Sequence, residues 1–260
     1  MKRSGLTVAL SGGSIRGVAH IGFLEVLDKH NIPVNRIVGT SMGALVGGLY
    51  AAGKLKELKE ELLKLSKNKI LALLLSDRIK KGKSSTKEIE KILEPMIKGV
   101  QTEKLPIRFT AIATNLKTGG EIYLEKGSLL RNISASTSIP GIFQPVKIKN
   151  MLLVDGGVTD PLPEEYARKK SRKVIAVNAM PAKINYKKNG NTFDIISEAM
   201  GILSNKLINL NEFKNKEELF VQIKTRGIDS FDFKSIDKVI ELGRKAGEKH
   251  IKRIIEIANS

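Results

Sequence analysis

Ser41 stands between two glycines in Gly39-Thr40-Ser41-Met42-Gly43, after the apolar pair Ile37-Val38 and ahead of the small-residue run Ala44-Leu45-Val46-Gly47-Gly48. A serine hydroxyl is a weak nucleophile at neutral pH. It becomes reactive when a tight strand-to-helix turn lifts it clear, beside a base and a cradle of backbone N–H groups. Gly39 and Gly43 permit such a turn, because larger side chains there would meet neighbouring backbone. The chemistry this spacing suggests is covalent acyl transfer through Ser41. A pentapeptide of this kind also arises by chance in a chain with 23 glycines, so the remaining residues must support it.

A second glycine-rich loop, Ser11-Gly12-Gly13-Ser14-Ile15-Arg16-Gly17, opens into Val18-Ala19-His20. A loop of this type at a helix start turns backbone N–H groups toward an anion. Ser14 occupies the position where a dinucleotide fingerprint needs its second glycine-spaced turn, and no Gly-Lys-Ser/Thr follows, so a phosphate cradle is disfavoured. The alternative is an oxyanion hole built from Gly12, Gly13 and Ser14, in which each donor contributes roughly 10²–10³ in rate.

Three histidines, His20, His30 and His250, all fall in helix-like runs rather than in loops at strand ends, so a Ser-His-Asp triad has little support. Asp155-Gly156-Gly157 follows the apolar Met151-Leu152-Leu153-Val154, which places a carboxylate at a strand end beside a glycine turn. A partly desolvated carboxylate within hydrogen-bond reach can take the serine proton itself. The plainer reading is a turn aspartate, since Asp-Gly is a strong turn signal. Asp160 and Asp77 are lesser rivals.

Alternating elements must position these groups. Strand-like runs cover 6–10, 36–38, 107–114, 121–124, 151–154, 173–178 and 219–223. Helix-like runs cover 18–30, 44–52, 55–65, 86–97, 163–169, 194–213 and 235–258. Such alternation predicts an α/β fold, three layers α/β/α around a mainly parallel sheet, in a single domain spanning 1–260. Residues 54–98 are the ambiguous block. An amphipathic run, the apolar 70–75 and Lys80, Lys81 and Lys83 read either as a mobile cap facing lipid or as helices packed on the sheet edge.

Composition bounds the rest. Apolar residues are 41% of the 260, which suits a globular core, and no apolar run approaches the ~20 residues needed to span a bilayer. The run at 6–10 is too short for a signal-peptide core, and the absence of cysteine removes disulfide and thiolate chemistry, so a cytoplasmic protein is expected. Forty-five Lys and Arg against 27 Asp and Glu give a formal charge of +18. That charge suits contact with an anionic membrane surface, or simply lysine spread over every face. No Trp, 5% aromatics and no recognition module leave nucleic acid without support as a partner. No His/Cys/carboxylate cluster has metal-ligand spacing, so neither metal nor cofactor is expected.

In this order along nearly the whole chain, the motifs resemble the patatin-like phospholipase family. The resembling segments are Gly12-Gly13-Ser14-Ile15-Arg16-Gly17 with Ala19-His20-Ile21-Gly22, Gly39-Thr40-Ser41-Met42-Gly43, Asp155-Gly156-Gly157, and also 113–119 and 135–146. The resemblance implies lipid acyl hydrolysis by a Ser-Asp dyad: Ser41 as nucleophile, Asp155 as base, Gly12-Gly13-Ser14 as oxyanion segment, and Arg16 at the family's basic position. It implies a phospholipid or other acyl-ester lipid as substrate, with lipid degradation as the role. Ser14 departs from the family's usual glycine and is strained if that position needs positive φ. The same dyad would also serve acyl transfer or thioester hydrolysis, and a non-catalytic lipid-binding protein could keep the fold.

Overall fold

The structure is a computed structural model that describes residues 5–67, 86–181, 192–208, 215–229 and 232–260. Its strands are β1 (Leu6–Leu10), β2 (Val34–Thr40), β3 (Arg108–Asn115), β4 (Glu121–Leu124), β5 (Val146–Ile148), β6 (Met151–Asp155), β7 (Val174–Asn178) and β8 (Glu218–Gln222). They form one sheet ordered β5-β6-β3-β2-β1-β7-β8, with β4 also on β3. The pairings along β3-β2-β1-β7-β8 are parallel, whereas β4 and β6 meet β3, and β5 meets β6, antiparallel. The expected mainly parallel sheet is present.

Helices are α1 (Ala19–Lys29), α2 (Met42–Ala51), α3 (Leu55–Lys67), α4 (Thr86–Ile97), α5 (Leu129–Ser136), α6 (Glu164–Lys170), α7 (Thr192–Leu207) and α8 (Ile236–Asn259). β1 and β7 are buried at every position, as strands covered on both faces must be. The period of two sorts their side chains: Val8, Leu10 and Ile37 enter the large core with α1, α2, α5 and α8. Ala9, Val38 and Ile112 enter a second cluster capped by Tyr166 and Ala167 of α6. Helices therefore cover both faces of the sheet.

The block 54–98 supplies two core helices where it is described. Leu58 and Leu62 of α3 and Leu93 and Ile97 of α4 are buried in the large cluster, while 68–85, including Asp77, lies outside the described residues. No helix among the described residues is long and apolar enough to cross a membrane. Two elements went unexpected, the short strand β5 and the helix α5.

Candidate active site

β2 runs as far as Thr40, opposite Ile112 of β3, and β6 ends at Asp155, opposite the next residue, Ala113. Ser41 and Asp155 are thus brought together by consecutive register positions on one central strand. At Ser41 the chain turns abruptly, with φ 54° and ψ −122°, and α2 starts at the following residue. A non-glycine residue in that region carries about 1–3 kcal/mol of strain and persists only where its surroundings hold it. Here the Ser41 N–H donates to Ser136 Oγ at 3.0 Å, and Ser136 in turn donates to the Ile112 carbonyl. Two residues on, the Ser138 carbonyl accepts the Asp155 N–H at 2.9 Å. The end of α5 consequently braces both residues, a role that nothing in the spacing of Ser136 and Ser138 announced.

Asp155 is 4% exposed. Its Oδ1 accepts the Gly157 N–H at 2.7 Å, and Oδ2 has no hydrogen bond of ordinary geometry. Burial pushes its pKa up to about 6, while the neighbouring Ser41 hydroxyl and the Gly157 N–H pull it the other way. The Ser41 hydroxyl is thus an immediate neighbour of the carboxylate.

The glycine-rich loop passes directly over the serine, so close that a Cβ on Gly12 would lie 3.3 Å from the Ser41 Cβ. Gly13 has φ 138° and Ser14 φ 50°, so Ser14 does occupy the left-handed region where serine is strained. The Gly12 N–H donates to the Pro161 carbonyl at 3.0 Å, which takes it away from any ligand; the loop's next two N–H groups belong to Gly13 and Ser14. Arg16 also faces the cavity, with its Nε donating to the Ile228 carbonyl at 2.8 Å, and burial lowers its pKa against the opposing pull of Glu198 and Asp229. Gly17 abuts Met42, Gly39 packs against the start of α2, Gly43 against the end of β1, and Gly156 against Ile112.

Ser41, Asp155, Gly157 and the loop residues Gly12, Gly13, Ser14 and Arg16 line a cavity of about 90 Å³. Ile139, Ile142, Met180 and Pro181 form its apolar walls, and α7 closes one side through Gly201, Ser204 and Asn205. No described residue of 54–98 lines it, and neither do the three histidines. His20 is wholly buried with its pKa pushed down to about 4, and the neutral ring's Nε2 lies 2.9 Å from the Ser11 carbonyl at the root of the loop. His30 meets Glu248 at 3.3 Å, on the far surface. Asp160 is pushed well above the ordinary carboxylate range by burial and by Glu121, Glu164 and Glu165, but it faces β4 and α6 rather than the cavity.

Comparison with known proteins matches residues 8–168 to the family described as Patatin-like phospholipase. An uncharacterized NTE family protein of Mycobacterium bovis is 38% identical over 158 residues, 61% of this chain and 44% of that protein. Lysophospholipase NTE1 of Scheffersomyces stipitis is 32% identical over 180 residues, 66% of this chain and 11% of the yeast protein. The chain thus spans less than half the length of either relative. Among solved structures, VipD from Legionella pneumophila superposes with a TM-score of 0.52 at 12% identity, covering 97% of this chain and 67% of that one, which is a likeness of fold. The family match takes in more than half of the chain and includes the glycine-rich loop, Ser41 and Asp155, while the cavity wall formed by Met180, Pro181 and α7 lies beyond it: this chain belongs to the patatin-like phospholipase family.

Proposed function

We propose that the chain is a single serine-dependent lipid acyl hydrolase domain, a phospholipase A- or lysophospholipase-type esterase working through Ser41 and Asp155. The observation that carries this reading is the convergence of a strained serine elbow, a buried carboxylate and the Gly13-Ser14 turn on one small cavity. Family membership and the name of the yeast relative, a lysophospholipase, support lipid as the substrate class.

Asp155 takes the hydroxyl proton as Ser41 Oγ bonds to the ester carbonyl carbon. The N–H groups of Gly13 and Ser14 hold the resulting oxyanion, with the N-terminus of α2 adding positive potential. Collapse breaks the bond to the leaving alcohol, which receives the proton from Asp155. A water molecule then gives its proton to the same carboxylate and attacks the acyl-serine. The fatty acid leaves and the proton returns to Ser41. No step calls for a metal or cofactor.

The base must be ionised, so acidity should silence it. With its pKa raised to about 6, kcat/KM on a soluble short-chain ester is expected to fall about tenfold per pH unit below that value. A rate flat from pH 5 to 8 would contradict Asp155 as base. Turnover of the same ester by Ser41→Ala is expected to drop by about 10⁴-fold or more with the fold intact; persistence of wild-type turnover would reject the proposal.

A further inference from the structure

Large apolar side chains that stand in water are unevenly placed on this protein. Ile195, Ile202, Leu203 and Leu207 of α7 are each at least half exposed. At 100° per residue they share one side of the helix with exposed Ala199 and Lys206, whereas Gly201, Ser204 and Asn205 line the cavity from the opposite side. α7 packs on the turn that follows Asp155, and Asn205 Nδ2 donates to the Pro181 carbonyl at 3.0 Å. One face of the helix is thus the cavity wall and the other is bare beside the cavity mouth. Leu116, 50% exposed just past β3, and Val158, 36% exposed just past Asp155, stand at the same end of the sheet. Of the large exposed apolar residues among those described, the remaining one, Tyr123, is stacked on Tyr166.

Scattered apolar residues on a surface need no explanation, but a set gathered at a cavity mouth marks an interaction site. A second copy of the chain fits it poorly, because a stable protein interface engages about 20–30 residues a side. A helix lying at the boundary between headgroups and acyl chains needs only one apolar face with cations beside it. The cations are present and exposed. Lys206 lies within the apolar face, Lys117 follows Leu116, and Lys224 and Arg226 lie just past β8; exposed Glu121, Glu165 and Asp229 are acids at that end, and half-buried Glu198 sits on the cavity side of α7.

We infer that the outer face of α7, together with Leu116 and Val158, is the surface by which this protein docks on an anionic lipid bilayer. The inference rests on the proposed lipid hydrolase function and names the partner of that same site.

The test compares the full chain with the Ile202→Ser/Leu203→Ser double variant and with Lys206→Glu, by co-sedimentation with phosphatidylcholine vesicles with and without phosphatidylglycerol. None of the three residues lines the cavity. The double variant is expected to lose about tenfold or more in partition to the mixed vesicles, and a similar factor in their hydrolysis. Its hydrolysis of a soluble short-chain ester and its unfolding temperature should match wild type. Lys206→Glu should weaken binding to the mixed vesicles and leave binding to pure phosphatidylcholine unchanged. Unchanged partition of the double variant would overturn the inference. So would a wild type that sediments without lipid as a dimer which the double variant breaks, since a second copy then covers the face. A fall of several degrees in the double variant's unfolding temperature would overturn it too, because the chain itself then covers the face. If vesicle binding follows this face but neither substrate is hydrolysed, the hydrolase reading fails and the surface stands. Ester hydrolysis with vesicle binding indifferent to the face gives the reverse.

Discussion

Asp155→Asn is expected to cut ester turnover by about 10²–10⁴-fold and, at the same time, to raise the unfolding temperature. The amide keeps the size and the Oδ1 acceptor that holds the Gly157 N–H, so a residue needed only for the turn would tolerate it. What the amide cannot do is accept a proton from Ser41. The gain in stability comes from the charge. Asp155 has a folded pKa of about 6 against an ordinary 3.8, so burying the ionised form opposes folding at neutral pH by about 3 kcal/mol. Stability from this group is full below pH 3.8 and is lost as pH rises through about 6. The amide removes that cost, and its Nδ2 can donate to the neighbouring serine oxygen. Thermal unfolding at pH 7 should therefore shift upward by several degrees, at about 2–4 °C per kcal/mol for a domain near this size. Activity retained in the variant would return Asp155 to the role of a turn residue. Activity and stability lost together would make its contribution structural.

Gly43→Ala is expected to damage fold and chemistry together. A Cβ there would press into the backbone carbonyl oxygens of Leu10 and Ser11, far inside contact distance. Neither can retreat easily. Leu10 is paired on both sides within the sheet, and Ser11 is tied by its N–H to Val177, by its hydroxyl to the Ala179 N–H and by its carbonyl to His20. Overpacking against fixed backbone destabilises by about 1–3 kcal/mol or more. The strain falls on the two segments that must stay in register, the serine elbow and the root of the glycine-rich loop. Loss of about 10²-fold in kcat, beyond the fraction unfolded, is expected because a displacement of about 1 Å suffices for that. Chemical denaturation alongside single-turnover rates separates the two effects; a variant with wild-type stability and rate would show that α2 does not pack this tightly on β1.

Much of this was legible because the relevant signals are local. β1, β3, β4, β6 and β7 are apolar runs bounded by turn residues, and α1, α3, α4 and α8 carry a helical period, so their bounds fall within a residue or two of expectation. The serine elbow, the glycine-rich loop and the Asp-Gly-Gly strand end could be read for the same reason, since each is a contiguous stretch whose glycines have to sit beside backbone. What escaped depends on distant partners. α5 is a short, serine- and asparagine-rich stretch made helical by burial: Asn132 Nδ2 donates to Thr102 Oγ1 and to the Lys126 carbonyl, and Ser128 caps the first turn. β5 is three residues long and turns into β6 through Lys149, whose φ of 52° no lysine advertises. Ser136 reaches the elbow from 95 positions away. The run at 194–213 read only as helix-like, and it is the placement of α7 on the cavity that shows which face is left bare.

The account stands on Ser41 as the nucleophile, and intact-mass analysis after reaction with a fluorophosphonate tests that most directly. One adduct on the wild-type chain, mapped to Ser41, absent from folded Ser41→Ala and formed more slowly below pH 6, is the predicted result. An unmodified wild type, or an adduct on another serine accompanied by loss of esterase activity, would contradict it.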